Sequence, residues 1–550
     1  MRVALLTSLV FLLLLGTLAQ PAWAADGAAT KPSLDTGDTA WMLTSSVLVL
    51  MMTIPGLALF YGGLVRNKNV LSTLMHSLFC AALISVTWVL FGYSLSFVGA
   101  GSLWGNLSQW GLGFPMNKSI LGTTHPLAPS IPTMLFVMYQ ATFAIITPAL
   151  ISGTFAERMR FPAFALFMLL WSTFIYTPLC HWVWGGGWMG PGDGNLKALD
   201  FAGGTVVHIS SGISALVTAI YLGKRFGYGH EPMPPHNLPF TVIGASLLWV
   251  GWFGFNAGSA LGSNELASIA FLNTNTAAAA AAIAWLCAEW VKSGKPTILG
   301  AASGAVAGLV AITPAAGFVN PMAAIFIGLA GGVVCYTAVS LKPKFGYDDA
   351  LDVVGVHMVG GTLGALLTGV FASLAVNAAG ADGGTGQLLR QTVAVVVTYI
   401  FCGVGTFILL VIVNAITRVR ADQQEEIIGL DLSQHSERAY VLSPGENLAL
   451  AHEPKPATVP PARPGKRYTL VLNGIDADVM STRWRTLCQN GSTEHPPEFA
   501  AIYGQVSTVR GNRFNFRGGD PRHMKKSLED VFKPVAKEVS ASIEEAVSKA

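Results

Sequence analysis

The residues of this sequence best suited to chemistry are two histidines. His208 lies within DFAGGTVVHISSGISALVTAIYLG, residues 200 to 223, about two helical turns after Asp200 in a stretch apolar enough to span a bilayer. His357 lies in a similar setting, near the start of VVGVHMVGGTLGALLTGVFASLAV, an apolar run that Asp352 opens. An imidazole donates at one nitrogen, accepts at the other and titrates near neutrality. Ionisable side chains inside membrane spans mark ion pathways, proton relays or ligand sites. Taken singly, each histidine also fits a buried neutral ring hydrogen-bonded to a backbone carbonyl.

Four aromatic patches accompany them: FYGG at Phe60 to Gly63, YQATF at Tyr139 to Phe143, HWVWGGG at His181 to Gly187 and WFGFNAGS at Trp252 to Ser259. Interfacial aromatics commonly anchor helices in a belt. Gathered beside a serine hydroxyl, the same rings would attract a small cation and accept one of its hydrogen bonds. An anion is disfavoured, because no basic residue stands among them. Asp200 fits the N-cap of the helix that follows, and its negative potential would also favour a cation; the two roles are compatible.

The elements that must position these groups follow from composition. Of 550 residues, 52% are hydrophobic and 11% charged, against about a quarter charged in soluble domains. The mean hydropathy is +0.52. The fold class is therefore an all-α polytopic membrane protein. The net charge of +3 gives no reason to expect nucleic acid as a partner. The six cysteines are scattered singly, with no CxxC pair, and imply neither a metal site nor a disulfide framework.

Residues 1–24, with Arg2, a short apolar core and Ala22 and Ala24 around Trp23, read as a cleavable signal peptide. Apolar runs of spanning length then occur near 41–64, 70–99, 128–153, 161–182, 201–223, 239–262, 265–291, 296–313, 318–341, 350–376 and 388–416, predicting eleven transmembrane helices. Alternate connectors carry Arg66 and Lys68, Arg158 and Arg160, Lys224 and Arg225, Lys292 and Lys295, Lys342 and Lys344, and Arg418 and Arg420. The positive-inside rule makes these cytoplasmic, so the amino terminus lies outside and the carboxyl terminus inside. His208 then lies about 12 Å below the outer end of the fifth helix and His357 about 8 Å above the inner end of the tenth. Matching residues approached from opposite faces are what a 5+5 inverted repeat gives, with its site at the midplane. Small residues such as Gly203, Gly204, Gly360, Gly361 and the tract Ala277 to Ala282 imply tight helix packing.

The predicted domains are the signal peptide, a membrane domain over 38–417, a cytoplasmic tail with a proline-rich linker over 418–465, and a small soluble α+β module over 466–550. In that module RYTLVLNGID and NRFNFRGGD read as strands, and Lys525 to Lys549 as an amphipathic helix. It carries no phosphate loop, metal cluster or catalytic motif.

Together, MTIPGLALFYGGLVRNKNVLS, TFAERMRFPA, HWVWGGGW, ALDFAGGTVVHISSG, PPHNLPF, GWFGFNAGSA, FLNTNTAAAAA, DVVGVHMVGG and GLDLSQHSERAY resemble the ammonium transporter (Amt/Mep/Rh) family, from about residue 38 to 440. The resemblance implies a non-enzymatic transporter without cofactor or metal, a homotrimer in the inner membrane with one narrow pore per subunit, and ammonium and methylammonium as substrates. Phe143, Trp184 and Ser259 match the family's recruiting site, with Asp200 as its support. Phe143 and Phe255 match the stacked gate, and His208 and His357 the paired pore histidines. Tyr139 departs from members with phenylalanine there. A PII-type signal protein is expected at the cytoplasmic mouth, near Asp348, Asp349 and Gly429 to Tyr440. Two other readings remain: an ammonium sensor signalling through the module, and a membrane haem protein with the two histidines as axial ligands.

Overall fold

The computed structural model describes residues 34–99, 101–113, 120, 122–440, 468–473, 484, 506–510, 513–516, 521–532 and 540–545. The expected signal peptide and proline-rich linker lie outside them. The chain divides into two compact units between Tyr440 and Val441, so the tail after the last long helix belongs with the membrane helices.

The first unit is a helical bundle. Its long helices are α1 (Thr36–Leu64), α2 (Val70–Phe97), α3 (Thr133–Phe155), α4 (Phe161–Val183), α5 (Gly204–Leu222), α6 (Leu238–Ala260), α7 (Glu265–Ser293), α9 (Pro321–Phe345), α10 (Val354–Phe371) and α11 (Thr385–Ile416). These ten are long and apolar enough to cross a membrane, and the protein is a multi-pass membrane protein. Helix α8 (Ile298–Ile312) is apolar but only 15 residues long. Two short helices close the unit, α12 (Gln423–Ile428) and α13 (Leu430–His435).

Sequence and structure differ at the start of α3. The run from 128 predicts helix, yet residues Ala128–Pro132 form strand β2, paired with β1 (Thr124–His125). Pro126, Pro129 and Pro132 explain it: each lacks an N–H and holds the residue before it out of the helical region. Helix α5 likewise starts at Gly204 rather than 201, because Asp200 to Gly203 form the cap described below.

Wide π-turns interrupt the helices at Met52–Leu57, Trp88–Gly92 and Ser172–Tyr176, and open α5 at Gly204–Ile209 and α10 at Val354–Met358. The first contains Pro55, which breaks the ordinary ladder. Glycines set the closest approaches. A methyl at Gly212 of α5 would strike the backbone of Met358 in α10, and one at Gly244 of α6 would strike the backbone of Phe60 in α1.

At the basic end of the bundle, buried ion pairs tie four connectors together. Arg225 donates to both oxygens of Asp348 at 2.9 Å and reaches Glu157 at 3.4 Å. Glu157 accepts from the Arg66 backbone N–H at 2.7 Å and from its Nε at 2.8 Å. Burial pushes the Glu157 and Asp348 carboxyls up, but the guanidinium groups beside them prevail and hold both below the usual range. Asp348 and Asp349, expected where a signal protein docks, are fully buried and present no carboxylate to a partner. The tail lies on the same end: Lys68 Nζ donates to the carbonyls of Glu426 and Ile427, Leu430 N–H donates to Asn69 Oδ1, and Ser72 N–H to Asp431.

In the second unit, strands β3 (Tyr468–Asn473), β4 (Val506–Arg510), β5 (Arg513–Phe516) and β6 (Ser540–Glu545) form an antiparallel sheet in the order β4-β5-β3-β6. Helix α14 (Pro521–Phe532) buries Leu528, Val531 and Phe532. The helix expected over 525–549 is therefore shorter and begins earlier. Residues 540–545, SASIEE, instead pair antiparallel with β3.

The ion cluster predicts an acid limb in stability. Glu157 and Asp348 have depressed folded values, so their contribution is complete at neutral pH and is lost only as the pH falls below about 4. Asp348→Asn removes the carboxylate paired with the fully buried Arg158 at 3.7 Å and leaves Arg225 only Glu157 at 3.4 Å, and should cost about 3–5 kcal/mol at pH 7. Thermal melting in detergent across pH 3 to 8 checks both, and a variant melting like the parent at pH 7 would contradict the reading.

Candidate functional site

Helix α5 begins inside the bundle, where its first N–H groups have no water to bond. The Asp200 carboxylate takes three of them and that of Gly203 just before: Gly203 and Gly204 donate to Oδ1 at 2.9 and 2.6 Å, and Thr205 and Val206 to Oδ2 at 2.8 and 3.1 Å. The carboxylate thus accepts backbone N–H groups as the N-cap reading expects, but the N-cap position itself belongs to Gly203. The same residue also braces the aromatic wall, because its backbone carbonyl accepts from Trp184 Nε1 at 2.9 Å.

Asp349 has the matching position at α10. It stands eight residues before His357, as Asp200 stands eight before His208. Its Oδ2 accepts from Val354 N–H at 2.8 Å, at the first residue of the π-turn. Sequence reasoning set Asp352 in this place. Asp352 instead adopts a left-handed backbone (φ 61°) and pairs with Lys342 at 2.5 Å. The equal spacing of eight was the signal that identifies Asp349.

Both histidines sit in the π-turns, and the His208 N–H bonds back five residues to Gly203 at 3.0 Å. Their Nδ1 atoms lie 3.2 Å apart, with ring centroids at 5.2 Å. Gly361 permits this, since a Cβ there would stand 3.0 Å from the His208 Cβ. Trp252 stacks on His208 at 5.5 Å and 22°, and holds its own Nε1 on Thr313 Oγ1 at 2.9 Å. His208 Nε2 is buried without a partner.

Above His208, Phe255 lies at 6.0 Å and stacks on Phe143 at 4.3 Å and 29°. Phe143 meets Trp184 edge-on at 5.7 Å and 86°. The Ser259 hydroxyl donates to Phe255 O at 2.9 Å. Tyr139 Oη stands 3.0 Å from both Gly254 O and Phe255 O and 3.2 Å from Ser259 Oγ. Its hydroxyl is thereby committed to the backbone of α6, so the Tyr139 departure leaves the ring in place beside Phe143 at 5.1 Å.

A cavity of about 200 Å³ opens on one side of the Phe143–Phe255 pair, lined by Gln140, Phe143, Trp184, Phe201 and Ser259 among others. On the other side lies a void of about 10 Å³ between Phe255, Trp252, His208 and His357, room for a single water-sized molecule. A further void of about 50 Å³ follows, lined by His357, Phe60, Tyr61 and Asp352. No macrocycle enters such spaces, which removes the haem reading.

The sequence-predicted residues Phe143, Phe255, Trp184, Ser259, Asp200, His208 and His357 are thus brought together in one line. The patches divide. FYGG lies beyond the histidines, with Phe60 lining both inner voids. In HWVWGGG, Val183 and Trp184 line the cavity, whereas both ring nitrogens of His181 face backbone carbonyls, Ser96 O at 2.9 Å and Gly101 O at 2.7 Å.

A file of buried aromatic rings leads to two facing imidazoles inside a multi-span membrane bundle. The sequence profile described as Ammonium Transporter Family matches residues 40–440, and the chain belongs to that family. It is 54% identical to an ammonium transporter of Bacillus subtilis over 409 residues, covering 74% of this chain and 98% of that one. It is 49% identical to one of Aquifex aeolicus over 420 residues, covering 75% and 96%. Among solved structures it is similar to Candida albicans Mep2 (TM-score 0.67, 35% identity, 78% and 93% covered) and to a protein titled Sensor Amt Protein (TM-score 0.65, 26% identity, 72% and 98% covered).

The cap makes a graded prediction. Asp200→Ala leaves four buried donors unsatisfied and should destabilise by at least about 3 kcal/mol, with Asp200→Asn intermediate. Tryptophan fluorescence during thermal melting in detergent measures this; indistinguishable melting of all three proteins would refute the cap.

Proposed function

We propose how this ammonium transporter moves its substrate: ammonium is recruited at the aromatic mouth, loses a proton there, and crosses as ammonia past two histidines. The observation that carries the reading is the 3.2 Å contact between His208 Nδ1 and His357 Nδ1 behind the stacked Phe143–Phe255 pair. Trp184 and Phe143 offer π faces to a cation, and the Ser259 hydroxyl, its hydrogen already on Phe255 O, offers lone pairs. An ion in the dry void beyond would have almost no partners, so the N–H bond breaks at the mouth and the proton passes to water in the 200 Å³ outer cavity. Ammonia is small enough to follow when the two phenylalanine rings part.

The histidines then supply a defined polarity. One proton lies between the two Nδ1 atoms, donated by one ring and accepted by the other. Neutral rings must therefore be of opposite tautomers, with an N–H at one Nε2 and a lone pair at the other. Ammonia, which both donates and accepts, finds one partner of each kind. The same shared proton gives a relay if protons accompany transport.

The membrane domain, on this reading, is a 5+5 inverted repeat of α1–α5 and α6–α10, with α8 as a short eleventh span and α11 outside the repeat. The matching Asp200–His208 and Asp349–His357 pairs support it. The basic connectors support a cytoplasmic basic end and an outside amino terminus, and the family resemblance supports an inner-membrane homotrimer. A PII-type partner would meet the tail around Ser436 to Tyr440 rather than Asp348 or Asp349. The domain boundaries proposed from sequence are kept, with the tail to Tyr440 docked on the membrane domain.

Methylammonium uptake and solid-supported-membrane currents in proteoliposomes test the histidine pair. His208→Ala with His357→Ala should reduce uptake at least about tenfold or change which species passes. Wild-type uptake and current in the double variant would sink the role.

A second reading, an ammonium sensor signalling through the unit after Tyr440, is favoured by that added unit and by the likeness to the Sensor Amt Protein. Removing residues from Pro464 onward should then leave uptake intact and abolish a nitrogen-dependent response in cells. If the response survives, sensing is not the unit's task.

A further inference from the structure

The mouth of the conduit holds one polar group that the recruiting residues leave out. Gln140 lies three residues before Phe143 on α3, hence on the same helix face. It lines the 200 Å³ cavity with Phe143, Trp184 and Ser259. It is only 8% exposed, and its Oε1 is buried without a hydrogen-bond partner. An unpaired buried amide oxygen is a cost that native structures rarely carry without a reason. The torsion that aims it is broad and two-fold, so the amide turns readily to offer the oxygen to the cavity.

We infer that the Gln140 side-chain carbonyl is a second acceptor for the recruited cation and sets its preference for ammonium over methylammonium. The inference rests on the recruitment reading above. The other hydroxyls at the mouth are already engaged as donors: Ser259 to Phe255 O, and Tyr139 to the carbonyls of Gly254 and Phe255. Acceptors for an incoming cation are then the Ser259 lone pairs and Gln140 Oε1. Two nearly perpendicular rings, Phe143 and Trp184 at 86°, provide two further electron-rich faces.

Four such partners match the four N–H bonds of ammonium. Methylammonium has three, and its methyl group meets a ring face or an oxygen with nothing to donate. A site with two oxygen acceptors therefore favours the unsubstituted ion, by the same logic that lets a hydrogen-bonding site reject an analogue lacking a donor. Removing one acceptor weakens ammonium more than methylammonium.

The test uses the full chain in proteoliposomes, with currents and uptake recorded over a range of ammonium and of methylammonium concentrations. Gln140→Leu should raise the half-saturation concentration for ammonium about tenfold, the loss of one hydrogen bond to a charged group, while the maximal rate changes much less. For methylammonium the rise should be smaller, so selectivity narrows. Gln140→Glu restores an acceptor and should bring half-saturation back to or below the parent value; Gln140→Asn, one methylene short, falls between. These two also keep the test alive if the leucine variant fails to fold.

Ser259→Ala is the control that separates the two ideas. If it raises half-saturation while Gln140→Leu does not, the Gln140 role is overturned and recruitment stands. If neither variant moves it, the recruitment reading itself fails. An equal rise for both substrates in Gln140→Leu would mean that the wall's shape changed rather than its acceptor count, and would also overturn the inference.

Discussion

The centre of this bundle depends on how a helix can begin where there is no water. The first four N–H groups of any helix lack partners within it, and in an apolar layer each one left bare is costly. Asp200 meets that demand for α5 with both carboxylate oxygens, four donors to one side chain. The negative charge sits at the positive end of the helix dipole, so it is balanced without a counter-cation. Begun among buried residues, α5 presents His208 in its opening π-turn. Trp184 donates to the carbonyl of the same aspartate, which ties the aromatic wall to the start of the histidine helix.

The contact between the histidines depends on what is missing rather than on attraction. Two imidazoles at 3.2 Å gain little more than one hydrogen bond. They can be so close because α5 and α10 touch where Gly212 faces the backbone of Met358 and Gly361 faces His208. Apolar packing offers no extra drive between helices in lipid, so close backbone approach is what holds such a crossing. The π-turns contribute at the same point, since both histidines lie in turns one residue wider than the regular helix.

Much of this was legible in the sequence, and the misses have physical causes. The long apolar runs, the alternating basic connectors and two histidines flanked by aspartates gave the membrane class and its central pair. The proline spacing at Pro126, Pro129 and Pro132 sets the start of the third helix at 133, but hydropathy alone does not distinguish a hydrophobic strand from a helix. Asp352 stands next to the apolar run, whereas Asp349 reaches the helix start across several residues of turn, and adjacency in sequence does not reveal such a cap. Gly212 and Gly361 are two of 60 glycines, and nothing local marks them as the crossing point. Gln140 lies within YQATF, where the aromatics carry the sequence signal. Only the structure shows that its oxygen has no partner.

If ammonium follows the proposed route, the order of environments along it decides which form of the substrate can pass. At the mouth there is a cavity of about 200 Å³ with ring faces and oxygen acceptors, enough to replace part of a cation's water. Behind Phe255 there is about 10 Å³, and the polar atoms there are imidazole nitrogens. A cation moved from the first to the second exchanges several partners for at most one lone pair, since the shared Nδ1 proton leaves one Nε2 as an acceptor and the other as a donor. A donor aimed at a cation is repulsive. For ammonia the same pair is complementary, one group to give a hydrogen bond and one to take it. On the proposed route, selection between the charged and the neutral form rests on the tautomer constraint that a single shared proton imposes, which suits ammonia and disfavours the cation even when the phenylalanine rings part.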